Sequence, residues 1–501
     1  MLDQADVVVI GAGASGIGAA LTLAQAGKKV ALLEKGNKPG GAGMFGAQGL
    51  FAVESKAQQE SSEVSDRNYK LQDAYKELID YTHYRSNLAL TRKVLQESAS
   101  TIAWLADNGL KTELVDNTQE VHQGHPRVYH QYIDKFAGFQ RLLEQFSANG
   151  GEILTETAAV DLQTNGGQIT GVQVEHADQR HLIETKAVIV ADGGYVGNKK
   201  LVEENLQIDA ANLYSMGERK ATGDGISMLA KLGADTSSLG VFENHAASAV
   251  SPTDPKWHND TIFTLTNLPF LWVNGEGKRF VNEDICYDFA LWGNITYTQG
   301  GFYYFLLNQE QVDFLQENKL AWTHSFERTF TSLSHEPVTH EVGPFPTIAD
   351  DLNDAIKNNL AWKADSIEKL ANKLDLSLGN LQATVTRYNQ LINENNDLDF
   401  NKDPKFLAFP LEKGPYYAIK AQSTTLGTIG GISVNDDLEV MGKDKKPIQG
   451  AFAVGNNAAG MYDTSYPTLE GVSCAFAWNS GRLAGKAAVK LLEQGCEKYY
   501  H

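Results

Sequence analysis

A run of glycines near the amino end of the chain has the spacing of a dinucleotide-binding turn. Gly11, Gly13 and Gly16 follow the apolar segment Val7–Ile10, and an acid, Glu34, lies roughly 20 residues further on. The first glycine permits a tight turn, the second lets backbone N–H groups approach a pyrophosphate, and the third lets helix and strand pack closely. Glu34 would accept a hydrogen bond from a ribose hydroxyl. The spacing therefore predicts a Rossmann-type dinucleotide site.

A second glycine-dense segment distinguishes between the possible dinucleotides. The fingerprint alone does not separate FAD from NAD, but residues 40–49 read Gly-Gly-Ala-Gly-Met-Phe-Gly-Ala-Gln-Gly. Backbone with so few side chains could lie along a flavin ring. We therefore predict FAD as the cofactor. The residues predicted to bind it in these two segments are Gly11, Gly13, Ala14, Ser15, Gly16, Glu34, Lys35, Gly40, Gly41, Gly46, Ala47 and Gly49.

The composition of the 501-residue chain argues against several classes of partner. Lys and Arg number 43 against 62 acids, a formal charge of -19. Nucleic acid is not expected, because a phosphate backbone requires clustered cations. The first residues have no basic region and lead into a short apolar strand, so we expect neither an export signal nor a membrane span. Cys286, Cys474 and Cys496 form no close pair, which predicts no metal site and a reducing, cytoplasmic compartment.

The order of apolar segments predicts the elements that position the glycines. A strand at Val7–Ile10, a helix over 17–25 and a strand over 29–34 give a strand-turn-helix-strand opening. Short alternating strands follow, broken by a hairpin turn at 165–167, before another apolar strand over 187–191. The fold class expected is α/β, with a Rossmann-like FAD-binding domain.

The second half of the chain suggests that this domain is interrupted. An aromatic-rich middle region, which either lines an apolar pocket or forms a core, precedes predicted helices over 350–374 and 378–393. Strands return near Gly414, and a long helix is expected to begin close to Gly471. We predict a discontinuous FAD-binding domain with an inserted α+β capping domain, divided as 1–240 (FAD-binding), 241–412 (capping, substrate) and 413–501 (FAD-binding).

Motifs spread along nearly the whole chain resemble those of the fumarate reductase and 3-ketosteroid dehydrogenase superfamily of flavoproteins. They are the fingerprint, Val-Ile-Val-Ala-Asp-Gly-Gly at 188–194, Ala-Thr-Gly-Asp-Gly at 221–225, the Arg-Phe-Val-Asn-Glu segment within 273–283, and glycine-containing segments at 428–431, 453–456 and 481–485. The resemblance implies an active site between the two domains, with hydride exchanged at flavin N5. It also implies cofactor contacts from Asp192, Gly193, Thr222, Gly223, Asp224, Gly455, Asn456, Gly471, Val472 and Ser473.

Two tyrosines occupy positions similar to those that ketosteroid dehydrogenases use. The resemblance implies that Tyr287 exchanges a proton at the substrate α carbon, while Tyr466, helped by the backbone N–H of Gly471, polarises the carbonyl. Adding hydride β to a carbonyl builds an enolate, which needs donors at oxygen and an acid at carbon. The alternative is that both tyrosines are packing residues. Arg279 and Glu283 are interpreted as a structural pair, and His245 is noted near the start of the capping region.

The chain departs from fumarate reductases where those enzymes hold their substrate. Tyr287 stands where they place an arginine acid, Gly427 stands where they place a histidine, and their C-terminal arginine has no counterpart in 463–471. A dicarboxylate would need those cations, because desolvating a carboxylate without paired donors is costly. The predicted substrate is therefore a small molecule that is uncharged and partly apolar.

The predicted function is hydride transfer between flavin N5 and a carbon–carbon bond next to a carbonyl, by an ene reductase or a 1,2-desaturase. No histidine lies between Gln25 and Thr82, so a histidyl-flavin bond is not expected and FAD should be noncovalent. The electron donor or acceptor is unknown. Two alternatives stay open: a fumarate reductase-like enzyme for an unsaturated carboxylic acid, and a flavin-binding protein without redox turnover.

Overall fold

The computed structural model of the protein describes residues 2–254 and 256–497, which form two large sheets, two small sheets and the helices around them. The strands are β1 Val7–Ile10, β2 Val30–Leu33, β3 Gly49–Phe51, β4 Thr112–Leu114, β5 Tyr129–Tyr132, β6 Glu152–Leu154, β7 Thr157–Asn165, β8 Gln168–His176, β9 Gln179–Glu184, β10 Ala187–Val190, β11 Leu213–Ser215, β12 Phe242–Ser248, β13 Leu271–Val273, β14 Phe302–Asn308, β15 Ala361–Ala364, β16 Tyr416–Thr428, β17 Glu439–Met441 and β18 Pro447–Ala453. The helices are α1 Ala14–Gln25, α2 Gly41–Phe45, α3 Lys56–Gln59, α4 Val64–Asn68, α5 Leu71–Tyr81, α6 Leu88–Asp107, α7 Lys135–Ala148, α8 Lys199–Leu206, α9 Asp224–Lys231, α10 Asp260–Thr266, α11 Phe289–Thr298, α12 Gln309–Glu317, α13 Glu327–Ser334, α14 Ile348–Lys357, α15 Ile367–Leu374, α16 Leu378–Glu394 and α17 Val472–Glu497.

The first large sheet is the predicted Rossmann-like sheet. Its strand order is β17-β18-β10-β1-β2-β6, and the strands from β18 to β6 run parallel. Every residue of β1, β2 and β10 is buried, as expected for apolar runs in a parallel sheet covered on both faces. Helices α1 and α17 pack closely against each other, because a Cβ on Gly481 would lie 2.1 Å from the carbonyl oxygen of Ser15. The α/β fold class is confirmed.

The second large sheet is built around the 13-residue strand β16. Its order is β11-β16-β14-β13, with β12 and β15 also paired to β16. Each strand that the structure describes between 241 and 412 lies in this sheet. However, β16 lies there too, although 416–428 fall in the part of the chain predicted to belong to the FAD-binding domain, and the chain rejoins the first sheet only at β17 and β18. The strand pattern of 416–428 was read correctly, but such a pattern does not name the partner strand. The division into domains stays a prediction.

The helix predicted over 350–374 is two helices separated by a strand. Helix α14 ends at Lys357, and Asn359 takes a left-handed φ of 58°. Strand β15 then pairs with β16 before Ser366 caps α15. A left-handed residue ends a helix because its backbone cannot continue the right-handed turn. The hairpin predicted at 165–167 is present between β7 and β8.

A buried ion network holds the middle region together. Arg279 pairs with Glu283 at 2.8 Å and with Asp397 at 2.7 Å, and the ammonium of Lys402 lies 3.2 Å from Glu283. The guanidinium also lies over the ring of Tyr388. These side chains are almost fully buried, so each charge is paired in place. Arg279 and Glu283 therefore have the structural role that the sequence indicated.

Candidate active site

A cavity of about 420 Å³ extends from the carboxyl edge of the first sheet towards the second sheet. Ligands bind at this edge in doubly wound folds, because the turns after the parallel strands meet there. Most of the residues predicted to bind the cofactor line this cavity: Gly11, Gly13, Ala14, Ser15, Glu34, Lys35, Gly41, Gly46, Ala47, Gly49, Asp192, Gly193, Asp224, Asn456, Gly471 and Ser473.

Six predicted cofactor residues do not line the cavity: Gly16, Gly40, Thr222, Gly223, Gly455 and Val472. They support the residues that line it through backbone conformation or packing. A Cβ on Gly16 would lie 1.8 Å from the oxygen of Gly11, so this glycine allows helix and strand to meet. The hydroxyl of Thr222 lies 2.6 Å from the ammonium of Lys35. Their direct contact with the cofactor stays a prediction, which the cavity lining does not support.

Four more residues complete this supporting group of six: Gly40, Gly223, Gly455 and Val472. Gly40 and Gly223 take φ values of 127° and 79°, which place the turns before α2 and α9. Gly455 donates its N–H to Ser480 Oγ at 2.9 Å, and a Cβ there would lie 2.7 Å from Ser15 Oγ. Val472 is fully buried in the core. These residues shape the cavity wall without facing the cavity.

The start of α1 fits the pyrophosphate of a dinucleotide. Gly13 is the N-cap and offers no side-chain acceptor, so the first N–H groups of the helix are free to bind an anion at its positive end. A Cβ on Gly13 would meet nothing within 4 Å, whereas one on Gly11, whose φ is 103°, would lie 2.5 Å from the oxygen of Ala191. Gly11 is therefore required by the tight turn.

The carboxyl end of β2 fits a ribose. Glu34 Oε1 accepts from the N–H of Gly36 at 2.7 Å, and the carboxylate lies 3.9 Å from Lys220. Lys35 is paired at 2.8 Å with Asp224. The second oxygen of Glu34 has no hydrogen bond within the described residues, so it is available to a ribose hydroxyl. The carboxylate at this end of the cavity therefore fits the ribose in the adenosine half of FAD.

Asn457 is a supporting residue that the sequence reasoning missed. Its Nδ2 donates to Asp192 Oδ1 at 2.5 Å, and its Oδ1 accepts from the N–H of Gly193 at 2.8 Å. Asp192 also accepts from the N–H of Gly225, and burial raises the pKa of its carboxyl. Asn457 directly follows the predicted Asn456, but only the fold shows that it locks the turn after β10.

The opposite end of the cavity is where the flavin ring and the substrate would lie. If the adenosine half binds at Glu34 and the pyrophosphate at α1, the remainder of FAD extends towards α17 and the second sheet. This substrate end is lined by Gln119, Glu243, His245, Phe289, Thr329, Leu333, Tyr466, Glu470 and Ser473. Of the aromatic side chains in the middle region, Phe289 lines the cavity, while Trp272 and Trp292 are core residues.

Two titratable side chains on β12 have strongly shifted acidities. Burial raises the pKa of the Glu243 carboxyl to about 7, although the hydroxyl of Ser473 donates to its Oε1. Burial lowers the pKa of His245 to about 4, and its Nδ1 has no hydrogen-bond partner in the described residues. At neutral pH the imidazole is therefore uncharged. The sequence reasoning noted His245 but missed Glu243; the signal was their spacing, since residues two apart in a strand share a face.

The structure does not bring the two predicted catalytic tyrosines together. Tyr287 lies outside the cavity lining: its hydroxyl donates to the oxygen of Thr323 at 2.8 Å, and its ring stacks on Phe406. Burial raises the pKa of this phenol. The 3₁₀ turn Glu283–Tyr287 directs this side chain into the hydrophobic core of the second sheet, which favours the packing alternative. The catalytic role of Tyr287 stays a prediction.

Tyr466 and Gly471 do line the cavity. Burial and the nearby Glu243 raise the pKa of the Tyr466 phenol, so it stays a neutral donor. Gly471 has a φ of 74°, its oxygen accepts from the N–H of Phe51 at 3.0 Å, and a Cβ would lie 2.7 Å from that nitrogen. Close packing against β3 therefore explains the glycine, and the role of its N–H in catalysis stays a prediction.

The positive charges of the cavity lie at the adenosine end. Among the described residues that line it, the lysines are Lys35 and Lys220, beside Asp224 and Glu34, and no arginine is present. Within the described residues that line the substrate end, no fixed cation is therefore available to pair with a carboxylate.

Metal clusters and membrane-spanning helices are both absent from the described residues. These residues contain no cluster of three or more His, Cys, Asp or Glu side chains that could hold a metal ion. In the same residues, no helix combines the length and apolar character needed to cross a membrane.

Comparison with known proteins identifies the family. A family profile described as an FAD binding domain matches residues 6–473. The chain is 32% identical over 508 aligned residues to the vinyl phenol reductase of Lactiplantibacillus plantarum, covering 98% of each protein. It is 26% identical to the NADH:fumarate oxidoreductase of Klebsiella pneumoniae, covering 97% of this chain and 48% of that protein.

A solved structure has the same fold. The 3-ketosteroid Δ1-dehydrogenase from Sterolibacterium denitrificans, in complex with 1,4-androstadiene-3,17-dione, aligns with a TM-score of 0.75 at 18% identity and covers 97% of this chain and 100% of that one. The chain belongs to the family that this FAD binding domain profile describes, and its 32% identity to the vinyl phenol reductase supports the assignment. It is an FAD-dependent oxidoreductase that acts on carbon–carbon bonds.

Proposed function

We propose that the protein reduces a carbon–carbon double bond conjugated to a neutral aromatic ring, as in a vinyl phenol. The observation that carries this proposal is the substrate end of the cavity, which lacks a fixed cation and is walled by Phe289, Leu333 and Tyr466. Such a wall favours a flat, uncharged molecule over a dicarboxylate. The similarity to the vinyl phenol reductase over almost the whole of both chains supports the same substrate class.

The side chains at this end suit the chemistry of a phenol whose vinyl group is para to the hydroxyl. Withdrawing the hydroxyl proton moves electron density to the terminal vinyl carbon, which can then take a proton, and leaves the benzylic carbon open to hydride. FAD, when bound and reduced, supplies that hydride. The neutral imidazole of His245 can accept a hydrogen bond from the substrate hydroxyl. The hydroxyl of Tyr466 can donate a hydrogen bond to the same substrate oxygen.

An unsaturated carboxylic acid is the second candidate substrate. The similarity to the NADH:fumarate oxidoreductase favours it, although this chain spans 48% of that protein. If the double bond is conjugated to a carbonyl, as the sequence predicted, the hydroxyl of Tyr466 could donate to that carbonyl oxygen. The distribution of charge in the cavity disfavours binding of a carboxylate, because both lysines of the lining are at the adenosine end and each is paired with an acid there.

A substrate panel tests the proposal. The purified protein is reduced chemically under anaerobic conditions and mixed with a vinyl phenol, a cyclic enone or fumarate. We expect the vinyl phenol to restore the oxidised flavin spectrum and to yield the ethyl phenol. Formation of succinate from fumarate, with the vinyl phenol recovered unchanged, would refute the proposal.

We also propose that FAD is held without a covalent bond. The glycine-rich wall at Gly41–Gly49 lies within a segment, Gln25 to Thr82, that has no histidine to attach a flavin. Acid precipitation should therefore leave the flavin in the supernatant, whereas yellow protein in the pellet would contradict this. The described cysteines, Cys286 and Cys474, are free thiols, which supports a reducing compartment such as the cytoplasm.

A further inference from the structure

Glu243 is a buried carboxyl at the substrate end of the cavity that has no cationic partner. Its side chain is 5% exposed, and no Lys, Arg or His pairs with it within the described residues. Glu470, the other acid at this end, is bound by two backbone N–H groups and by His122 at 2.7 Å. Leaving a carboxylate in such a place without a partner is costly, which favours the neutral acid.

The groups around Glu243 keep it in position without neutralising it by charge. Ser473, at the start of α17, donates to Oε1, while Oε2 has no protein hydrogen bond in the described part of the chain. The other titratable groups that face it are Tyr462 and Tyr466, on the segment leading into α17, and Cys474 in its first turn. Burial raises the pKa of each of them, so they remain uncharged near neutral pH.

We propose that Glu243 is the acid that protonates the substrate carbon, with the Ser473 hydroxyl fixing the carboxyl so that its proton is on Oε2. This inference rests on the proposed function. In the step, the O–H bond of Glu243 breaks and a C–H bond forms at one carbon of the double bond. FAD, when bound and reduced, would supply the hydride for the second C–H bond, and the π bond is lost. Glu243 is left as a carboxylate and regains a proton from solvent before the next turnover.

The pKa of Glu243 makes it a better candidate for the general acid than the tyrosines. A general acid works best when its pKa lies near the working pH, because it is then both protonated and able to release the proton. The Glu243 carboxyl, with its pKa raised to about 7, meets this condition. The Tyr466 phenol does not, since its pKa is raised above the usual value of about 10.

The test compares the parent with Glu243→Gln and with Glu243→Asp. The reduced protein is mixed with whichever compound of the substrate panel reoxidises it fastest, so a failure of the vinyl phenol proposal leaves this test intact. We expect Glu243→Gln to retain FAD and to slow reoxidation by roughly 10²-fold or more. Glu243→Asp, which keeps an acid, should recover part of the rate. A Glu243→Gln rate within about twofold of the parent would overturn the inference.

The pH profile of the parent gives an answer even if Glu243→Gln fails to hold FAD. Because the acid must be protonated, the rate should fall as pH rises through the pKa of about 7, and Glu243→Gln should lack this fall. A parent rate that is constant from about pH 6 to about pH 8 would overturn the inference.

Thermal unfolding provides a readout that does not depend on activity. A carboxyl whose pKa rises from 4.5 in the unfolded chain to about 7 in the folded protein binds its proton more tightly when folded. Its contribution to stability is therefore complete below about pH 4.5 and decreases as pH rises towards about 7. The Tm of the parent should fall relative to that of Glu243→Gln over this window. A constant difference between the two Tm values would contradict a shifted carboxyl at this position.

Discussion

Tyr466 is a buried phenol that lines the cavity, whereas Tyr287 is partly buried and donates to the oxygen of Thr323. Their Phe variants therefore form a matched pair. Tyr466→Phe removes a donor facing the substrate and should slow flavin reoxidation by about tenfold or more. Tyr287→Phe should leave that rate unchanged and cost about 1 kcal/mol of stability, the usual net value of one hydrogen bond.

Rapid mixing and denaturant unfolding measure these two effects separately. If Tyr287→Phe slows reoxidation as much as Tyr466→Phe does, Tyr287 takes part in the reaction and is not only a packing residue.

At the scale of elements, the start of α17 brings the cavity, β3 and the substrate end together. Gly471 has a φ of 74° and its Cα faces the backbone of Phe51, so Gly471→Ala combines strain with a clash. Gly27, with a φ of 73° and open space around it, is the matched control. Both variants should lose roughly 1 kcal/mol from the left-handed backbone.

Only Gly471→Ala should also displace the start of α17 and lower the amount of FAD bound per protein. The flavin-to-protein absorbance ratio after purification measures this. Equal FAD content in the two alanine variants would show that the close packing at Gly471 does not shape the cofactor site.

Local elements were predictable from the sequence, whereas their partners were not. The fingerprint from β1 to Glu34 could be recognised because each residue acts within one turn of the chain. The placement of β16 could not, since an apolar strand fits either sheet. The same limit applies to the site: Glu243 and Ser473 are 230 positions apart, so their hydrogen bond and the burial that shifts the carboxyl exist only in the fold.

At the scale of the whole molecule, helix α13 closes the substrate end against a loop of the first half of the chain. Arg328 pairs with Glu120 at 3.1 Å, and Thr329 donates to the oxygen of Thr118 at 2.5 Å. Glu470 holds the same loop from the cavity side through the N–H groups of Thr118 and Gln119. These contacts tie α13 and the segment before α17 to the loop between β4 and β5, beside the substrate end of the cavity.

The ratio of single-turnover rates for a vinyl phenol and for fumarate tests whether the substrate is a neutral aromatic molecule or a carboxylic acid. The chemically reduced protein is mixed with each compound in a stopped-flow instrument without oxygen, and the return of oxidised flavin absorbance is followed. Because the substrate end lacks a fixed cation, the vinyl phenol should oxidise the flavin at least about 100 times faster, a difference of about 2.7 kcal/mol in the barrier. Faster oxidation by fumarate would contradict the account.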